Sequence, residues 1–384
     1  MNFEFSTSKQ IIFGEGSLNK VKYLAPEFGN KPLIITGSGS VPLTPLLDLL
    51  SEAEVPAEIF RVQHEPNVSM IRAGLRQAKE THCDFVLGFG GGSSIDAAKG
   101  VAAMMTNPGT LMDYLEVIGK GKAIPCQPAP MIAIPTSAGT GTEVTRNAVI
   151  TSEERHVKVS MRSPMMIPTA AIVDPELTYS MPQEVTASTG MDALVQVIEA
   201  YVSKKANPLT DVIAREGILR GARALNAAFV DGHNRQARAD MCLTSLFSGL
   251  ALANSGLGAV HGFAGPIGGM YGIPHGKVCA CLLPAVMKYN VIAINQHDDL
   301  GDTHKKYDEI AKIITNRSDA AIQDGVLWLS DLAEKLDIPG LQALGVPESD
   351  FSVIIEKARV SSSMQKNPVE LSDEMLRAIL AESY

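Results

Sequence analysis

The sequence predicts an α/β N-terminal domain over residues 1–180 and an all-helical C-terminal domain over residues 181–384. Three observations carry this. Short continuous apolar runs alternate with helical patterns in the first half, which is what a parallel sheet covered on both faces produces. The third such run passes straight into Gly90-Gly91-Gly92-Ser93-Ser94. Beyond about Met181 strand-like runs disappear and long helical patterns take over. Taken in order, Lys31–Thr36, Ala57–Val62, Phe85–Phe89, Met131–Pro135 and Ala170–Asp174 read as strands. Helices are expected over 45–53, 69–81 and 95–105 between them. The second half reads as helices over 185–203, 210–229, 235–255, 304–314 and 321–336, with two more before the C-terminus.

Composition bounds the function classes. The chain has 384 residues, 45% hydrophobic and 20% charged, which suits a folded protein of two domains. A net charge of −9 without a Lys/Arg run argues against a nucleic-acid partner, because phosphate backbones need a concentrated basic surface. No run approaches the ~18 consecutive apolar residues of a membrane span. The first ten residues lack the basic and apolar regions of a secretory signal. The five cysteines form no C-x-x-C pair, so reduced thiols in a cytoplasmic protein are expected. The spacing of Cys279 and Cys281 reads as alternate faces of an extended segment.

Two loops suit a phosphate-bearing ligand. Glycines at 90–92 let the backbone approach an oxyanion, and the helix after them offers N–H groups and the positive end of its dipole at Ser93 and Ser94. The alternative is a plain tight turn, with Asp96 and Lys99 as ordinary residues of the helix's first turns. The second loop, Pro135 to Glu143, carries Thr136, Ser137 and Thr140, whose hydroxyls and amides suit ribose, phosphate or nicotinamide. Two such loops after parallel strands fit a dinucleotide. Lys158 falls in a charged stretch after Glu153-Glu154-Arg155 that looks like a solvated turn.

The helical half holds a candidate metal set. Asp192 and Gln196, four apart, share a helix face. His261 closes a glycine-rich stretch, and His275 sits in Ile273-Pro274-His275-Gly276. A carboxylate and two imidazoles suit a borderline divalent ion. Taken singly, each has a structural explanation: a helix cap for Asp192, and a satisfied core or surface role for either histidine. The remaining histidines sit among polar residues and are expected at the surface.

Together these segments resemble the iron-containing (group III) alcohol dehydrogenases, relatives of glycerol dehydrogenase and dehydroquinate synthase. The resemblance runs through Phe13–Gly16, Gly90–Lys99, Pro135–Glu143, Ile172–Leu177, Gly190–Leu194, His261-Gly262, Pro274–Gly276, Leu283-Pro284 and Asn367-Pro368. It implies a Rossmann-type dinucleotide-binding α/β domain over 1–180 and an all-α metal- and substrate-binding domain over 181–384, the dehydroquinate synthase-like arrangement. It further implies hydride transfer between NAD(P)(H) and a small alcohol or aldehyde, with Fe2+ or Zn2+ on Asp192, His261 and His275. Where that family carries a further histidine ligand, this chain has Gln196, and Gly265 replaces an active-site histidine of many members. Gly37, with Ser38 and Ser40 after the first long strand, stands where the family's NAD-preferring members have an acid, so NADP is expected over NAD. A homodimer or higher homo-oligomer is implied as well. Two other readings stand beside this one. One is a metal-free oxidoreductase like the maleylacetate reductases. The other is a non-catalytic binding protein that keeps the fold.

Overall fold

Residues buried on both sides of a sheet must be apolar in succession, because alternate side chains meet different layers. The computed structural model, which describes every residue except Met1, Ser38, Ser40, Glu153, Arg155, His156, Asp298 and Asp299, shows this directly. Its strands are β1 (Gln10–Phe13), β2 (Pro32–Thr36), β3 (Glu58–Arg61), β4 (Phe85–Gly90), β5 (Met131–Pro135), β6 (Asn147–Ser152), β7 (Val157–Arg162) and β8 (Ala170–Val173). Every residue of β2, β4, β5 and β8 is buried. Six strands form one parallel sheet in the order β1-β8-β5-β4-β2-β3. The helices among them are α1 (Val21–Phe28), α2 (Thr44–Glu52), α3 (Val68–Glu80), α4 (Gly92–Thr106) and the single turn α5 (Leu111–Tyr114). Leu33, Ile35, Val86 and Ala133 pack on one face with Ile71 of α3 and Ile95, Ala98 and Val101 of α4. Ile34, Phe85, Leu87 and Ile132 pack on the other with Val21 and Leu24 of α1 and Leu46 and Leu50 of α2.

The strand order locates a binding position. From β2 the chain steps outward to β3, then crosses back over β2 to β4. In parallel sheets, ligands bind beyond the strand C-termini where the direction of winding reverses. Here those termini are Gly37, after β2, and Gly90 to Gly92, ending β4. The antiparallel pair β6–β7 stands apart from this sheet. Lys158, expected in a solvated stretch after Glu153-Glu154-Arg155, belongs to β7.

The chain divides at Met181/Pro182: one unit is Ser6–Met181, and the other is Pro182–Tyr384 together with the residues up to Phe5. The second unit contains α6 (Gln183–Val202), α7 (Pro208–Val230), α8 (Arg235–Ser255), α9 (Ala259–Tyr271), α10 (His275–Ile294), α11 (Gly301–Thr315), α12 (Ile322–Lys335), α13 (Phe351–Arg359) and α14 (Asp373–Glu382). The long helices fall where the periodicity predicts them, and α9 and α10 lie in the interval where no helix is expected. Cys279 and Cys281 therefore lie on a helix, not an extended strand. Three residues cannot separate a period of 2 from one of 3.6. The buried set Val278, Cys279, Leu282, Leu283, Val286 and Met287 decides for the helix. Among the described residues α10, and α8 with α9 if that bent pair is taken as one span, are long and apolar enough to cross a membrane, but 61% of the most apolar window of α10 is buried inside the protein.

Candidate functional site

The glycines at the sheet's C-terminal edge are required by crowding. Gly90 has φ +151°, a region that L side chains avoid, and a Cβ there would lie 2.5 Å from Ser94 Oγ. A Cβ on Gly37 would approach the same oxygen to 3.1 Å. One on Gly91 would reach Ser137 Oγ at 3.2 Å, and one on Gly92 would reach Thr140 Oγ1 at 2.9 Å. Thr136 N donates to Gly90 O at 3.0 Å. Thus Gly37, Gly90–Ser94, Thr136, Ser137 and Thr140 are gathered at one place, at the first turn of the fifteen-residue helix α4. Ser38 and Ser40 lie outside the described residues.

Asp96 and Lys99 serve the architecture of this edge. Asp96 accepts from Thr142 Oγ1 at 2.5 Å and from Val149 N at 3.0 Å. Lys99 is buried and donates to Thr142 Oγ1, Thr145 Oγ1 and Asn147 O at 2.9, 2.7 and 2.9 Å. Burial penalises both charges, raising the Asp96 carboxyl and lowering Lys99 to about 8. Lys158 is engaged elsewhere, 2.7 Å from Glu65.

In the helical unit the predicted trio converges. Asp192 Oδ1 lies 3.4 Å from His261 Nε2 and 3.7 Å from His275 Nε2. Asp192 is on α6, His261 in the first turn of α9, and His275 at the start of α10. Gln196 sits one turn beyond Asp192, and its Nε2 donates to Asp192 Oδ2 at 3.1 Å. Two residues were not anticipated. Cys279 Sγ stands 3.5 Å from His275 Nε2 and 3.8 Å from His261 Nε2. The donor atoms of Asp192, His261, His275 and Cys279 all fall within 4.8 Å of one another. Glu199, buried on α6, accepts from Val260 N at 2.6 Å and contacts His261 Nδ1 at 2.7 Å. It thereby caps α9 and turns the other ring nitrogen toward Asp192, the usual carboxylate support of a ligating histidine. Helical spacing held both signals: 192, 196 and 199 share a face, as do 275 and 279.

The electrostatics match a cation's place. Burial works against charge on Asp192, yet His275 and His261 outweigh it and hold the carboxyl below its ordinary range. Burial also opposes an imidazolium at His261, but Cys279, Asp192 and Glu199 raise its pKa well above the usual value. Burial pushes the Cys279 thiol up to about 12. Asp192 Oδ1 and Gln196 Oε1 are buried without a hydrogen-bond partner among the described residues. Such orphaned acceptors are costly unless something electropositive meets them. Carboxylate, imidazole and thiol donors are also the chemical set that holds Zn2+ or Fe2+. The site fits a divalent ion.

A glycine-edged parallel sheet and a helical unit with a buried carboxylate–imidazole cluster define a protein of the two-part α/β-plus-helical class. The comparisons narrow this. Residues 8–175 match the family model described as iron-containing alcohol dehydrogenase, and residues 186–384 match its C-terminal counterpart. Alcohol dehydrogenase 4 of Saccharomyces cerevisiae is 35% identical over 379 residues, covering 97% of this chain and 96% of its own. A crystal structure of a 1,3-propanediol oxidoreductase superposes with a TM-score of 0.93 at 32% identity, with 100% of both chains covered. The sulfoacetaldehyde reductase of Bifidobacterium kashiwanohense, solved in complex with NAD+, gives 0.88 at 30% identity, covering 100% of this chain and 99% of that one. The chain belongs to the iron-containing alcohol dehydrogenase family. It is an oxidoreductase, an alcohol dehydrogenase.

Proposed function

We propose that the enzyme moves a hydride between NADP(H), with NAD(H) as second choice, and a small alcohol or aldehyde, using Fe2+ or Zn2+ held by Asp192, His261 and His275. The observation that carries this is the convergence of those three side chains, far apart in sequence, to 3.4 and 3.7 Å. When bound, the cation supplies Lewis acidity toward a hydroxyl or carbonyl oxygen, and the nicotinamide supplies the hydride chemistry. The rest is the work of the chain's own residues. Gly37, Gly90–Ser94 and Thr136, Ser137 and Thr140 offer backbone amides and hydroxyls to the dinucleotide, with Asp96 holding the second loop in place. Ser38 and Ser40 complete the proposed contacts, and Lys158 joins them only by leaving its pairing with Glu65. Asp192 brings negative charge, Gln196 steadies it through Nε2, and Glu199 fixes the ring of His261. At Gly265 an added Cβ would meet nothing within 4 Å, so no side chain fills that space beside His261. Five free thiols support a reducing, cytoplasmic setting, and a homodimer or larger homo-oligomer rests on the family resemblance.

The test is elemental analysis of the purified protein combined with reduced-nicotinamide absorbance during turnover of short alcohols, diols and aldehydes. About one Fe2+ or Zn2+ per chain, with turnover that a chelator removes and the ion restores, is the expected result. Turnover by a protein that carries no ion would instead mark a metal-free reductase. Absence of turnover with an intact fold would mark a binding protein.

The cofactor preference has its own support. Position 37, after β2, is glycine, and no carboxylate is there to claim a ribose 2′-hydroxyl. We expect kcat/KM with NADPH to exceed that with NADH by about tenfold or more, a difference of about 1.4 kcal/mol. The substitution Gly37→Asp should reverse the order. A wild type that prefers NADH ends this part of the reading.

A further inference from the structure

Resting on the proposed metal site, we infer that Cys279 is the fourth protein ligand, a thiolate that gives this site a sulfur donor and tilts it toward Zn2+, the substrate oxygen joining as a fifth donor. A tetrahedral ion with bonds of about 2.0 Å to nitrogen or oxygen and about 2.3 Å to sulfur sets its donors about 3.3–3.6 Å apart. The four recorded separations are 3.4 Å for Asp192–His261, 3.7 Å for Asp192–His275, 3.5 Å for Cys279–His275 and 3.8 Å for Cys279–His261. Each is within a few tenths of an ångström of a tetrahedral edge.

Other features of the site point the same way. Cys279 is fully buried, and its sulfur faces both imidazoles one helical turn after His275. Asp192 is only 2% exposed, with Oδ1 orphaned and directed at the same group of atoms. Gln196, its buried Oε1 open as a further, neutral donor, is tied through Nε2 to the other oxygen of Asp192. It therefore positions the carboxylate. Cys281, two residues on, bonds back to Val278 O at 3.4 Å and is not in the cluster. On coordination the Sγ–H bond breaks, the proton passes to solvent and the sulfur–metal bond forms; nothing is oxidised or reduced. A soft sulfur donor selects zinc over harder competitors.

The test adds Co2+ alone to metal-stripped full-length protein and records the optical spectrum. The expected result is ligand-field bands of tetrahedral cobalt plus a near-ultraviolet sulfur-to-cobalt charge-transfer band. That band should vanish in Cys279→Ala, with cobalt affinity down at least about tenfold, and persist in Cys281→Ala. Zinc-edge X-ray absorption of the wild type should show one sulfur at about 2.3 Å, a result that needs no variant to fold. Cobalt and zinc bound with no sulfur signature in the wild type would overturn Cys279 as a ligand and leave the Asp192–His261–His275 site standing. A wild type that takes up neither ion would overturn both.

Discussion

Replacing His275 with alanine is expected to strip the ion from the protein and to lower kcat/KM by about 1,000-fold or more, roughly 4 kcal/mol of transition-state stabilisation. His275 is the informative choice of the three ligands. Its side chain is 37% exposed, whereas His261 and Asp192 are 7% and 3% exposed. Removing His261 would also leave Glu199 as a buried carboxylate without its imidazole partner, and unfolding could then mimic loss of catalysis. At His275 the half-exposed ring leaves a smaller gap, though buried Asp192 loses a charge partner, so unfolding in the absence of metal should shift by about 1 kcal/mol. The measurements are metal content, kcat/KM and an apo-protein melting curve. A His275→Ala enzyme that keeps its ion and its turnover contradicts the proposed site.

The second large effect is expected at Gly276. This residue follows His275 in the first turn of α10, and a Cβ built on it would sit 2.2 Å from Ser188 O and 2.8 Å from Ser188 C. The obstacle is the backbone of α6 one turn before Asp192, not the tip of a flexible side chain. Restoring an ordinary contact requires a shift of about 1 Å, and it must fall on the two helices that carry Asp192, His275 and Cys279. Gly276→Ala should therefore cost about 1–3 kcal/mol in stability from overpacking, and Tm should fall by several degrees. Metal affinity should fall by about 10–100-fold, as when a support of the ligands is disturbed. Chelator competition and calorimetry measure both. Wild-type values for the variant would mean that the close approach of α10 to α6 does not set the ligand geometry.

How much of this was legible in the sequence follows from the kind of signal each part carries. Strands β2, β4, β5 and β8 announce themselves because burial on both faces demands unbroken apolar residues. The Gly90–Gly92 turn does so because only glycine tolerates the neighbouring hydroxyls. Asp192, His261 and His275 were readable as candidates by donor chemistry and, more specifically, by the family motifs around them. Strand β1 is four residues long and lies at the sheet's edge, too brief for a pattern. Strands β6 and β7 do alternate in burial, but charged residues between them masked the hairpin. Helices α9 and α10 were hidden by composition. Gly262, Gly265, Gly268, Gly269 and Pro266 lie within α9, and Pro284 lies within α10, residues that weaken or interrupt helices in isolation. Tertiary packing overrode those preferences, as the burial of Phe263, Ile267, Leu282 and Leu283 shows. Missing α10 had a direct cost: without a helix, His275 and Cys279 do not share a face, and the thiol reads as inert.

The buried linkage around Lys99 has a thermodynamic consequence for whatever docks at the sheet edge. Through Thr142, Thr145, Asn147 and Asp96 it fastens the threonine-rich loop to α4, so the donors proposed to meet the dinucleotide are tied in place before it arrives. Ordering a free backbone costs about 1–2 kcal/mol per residue, and a loop already immobilised spares the ligand that cost. Affinity at such an edge is then governed by how well the anion's oxygens match the waiting donors.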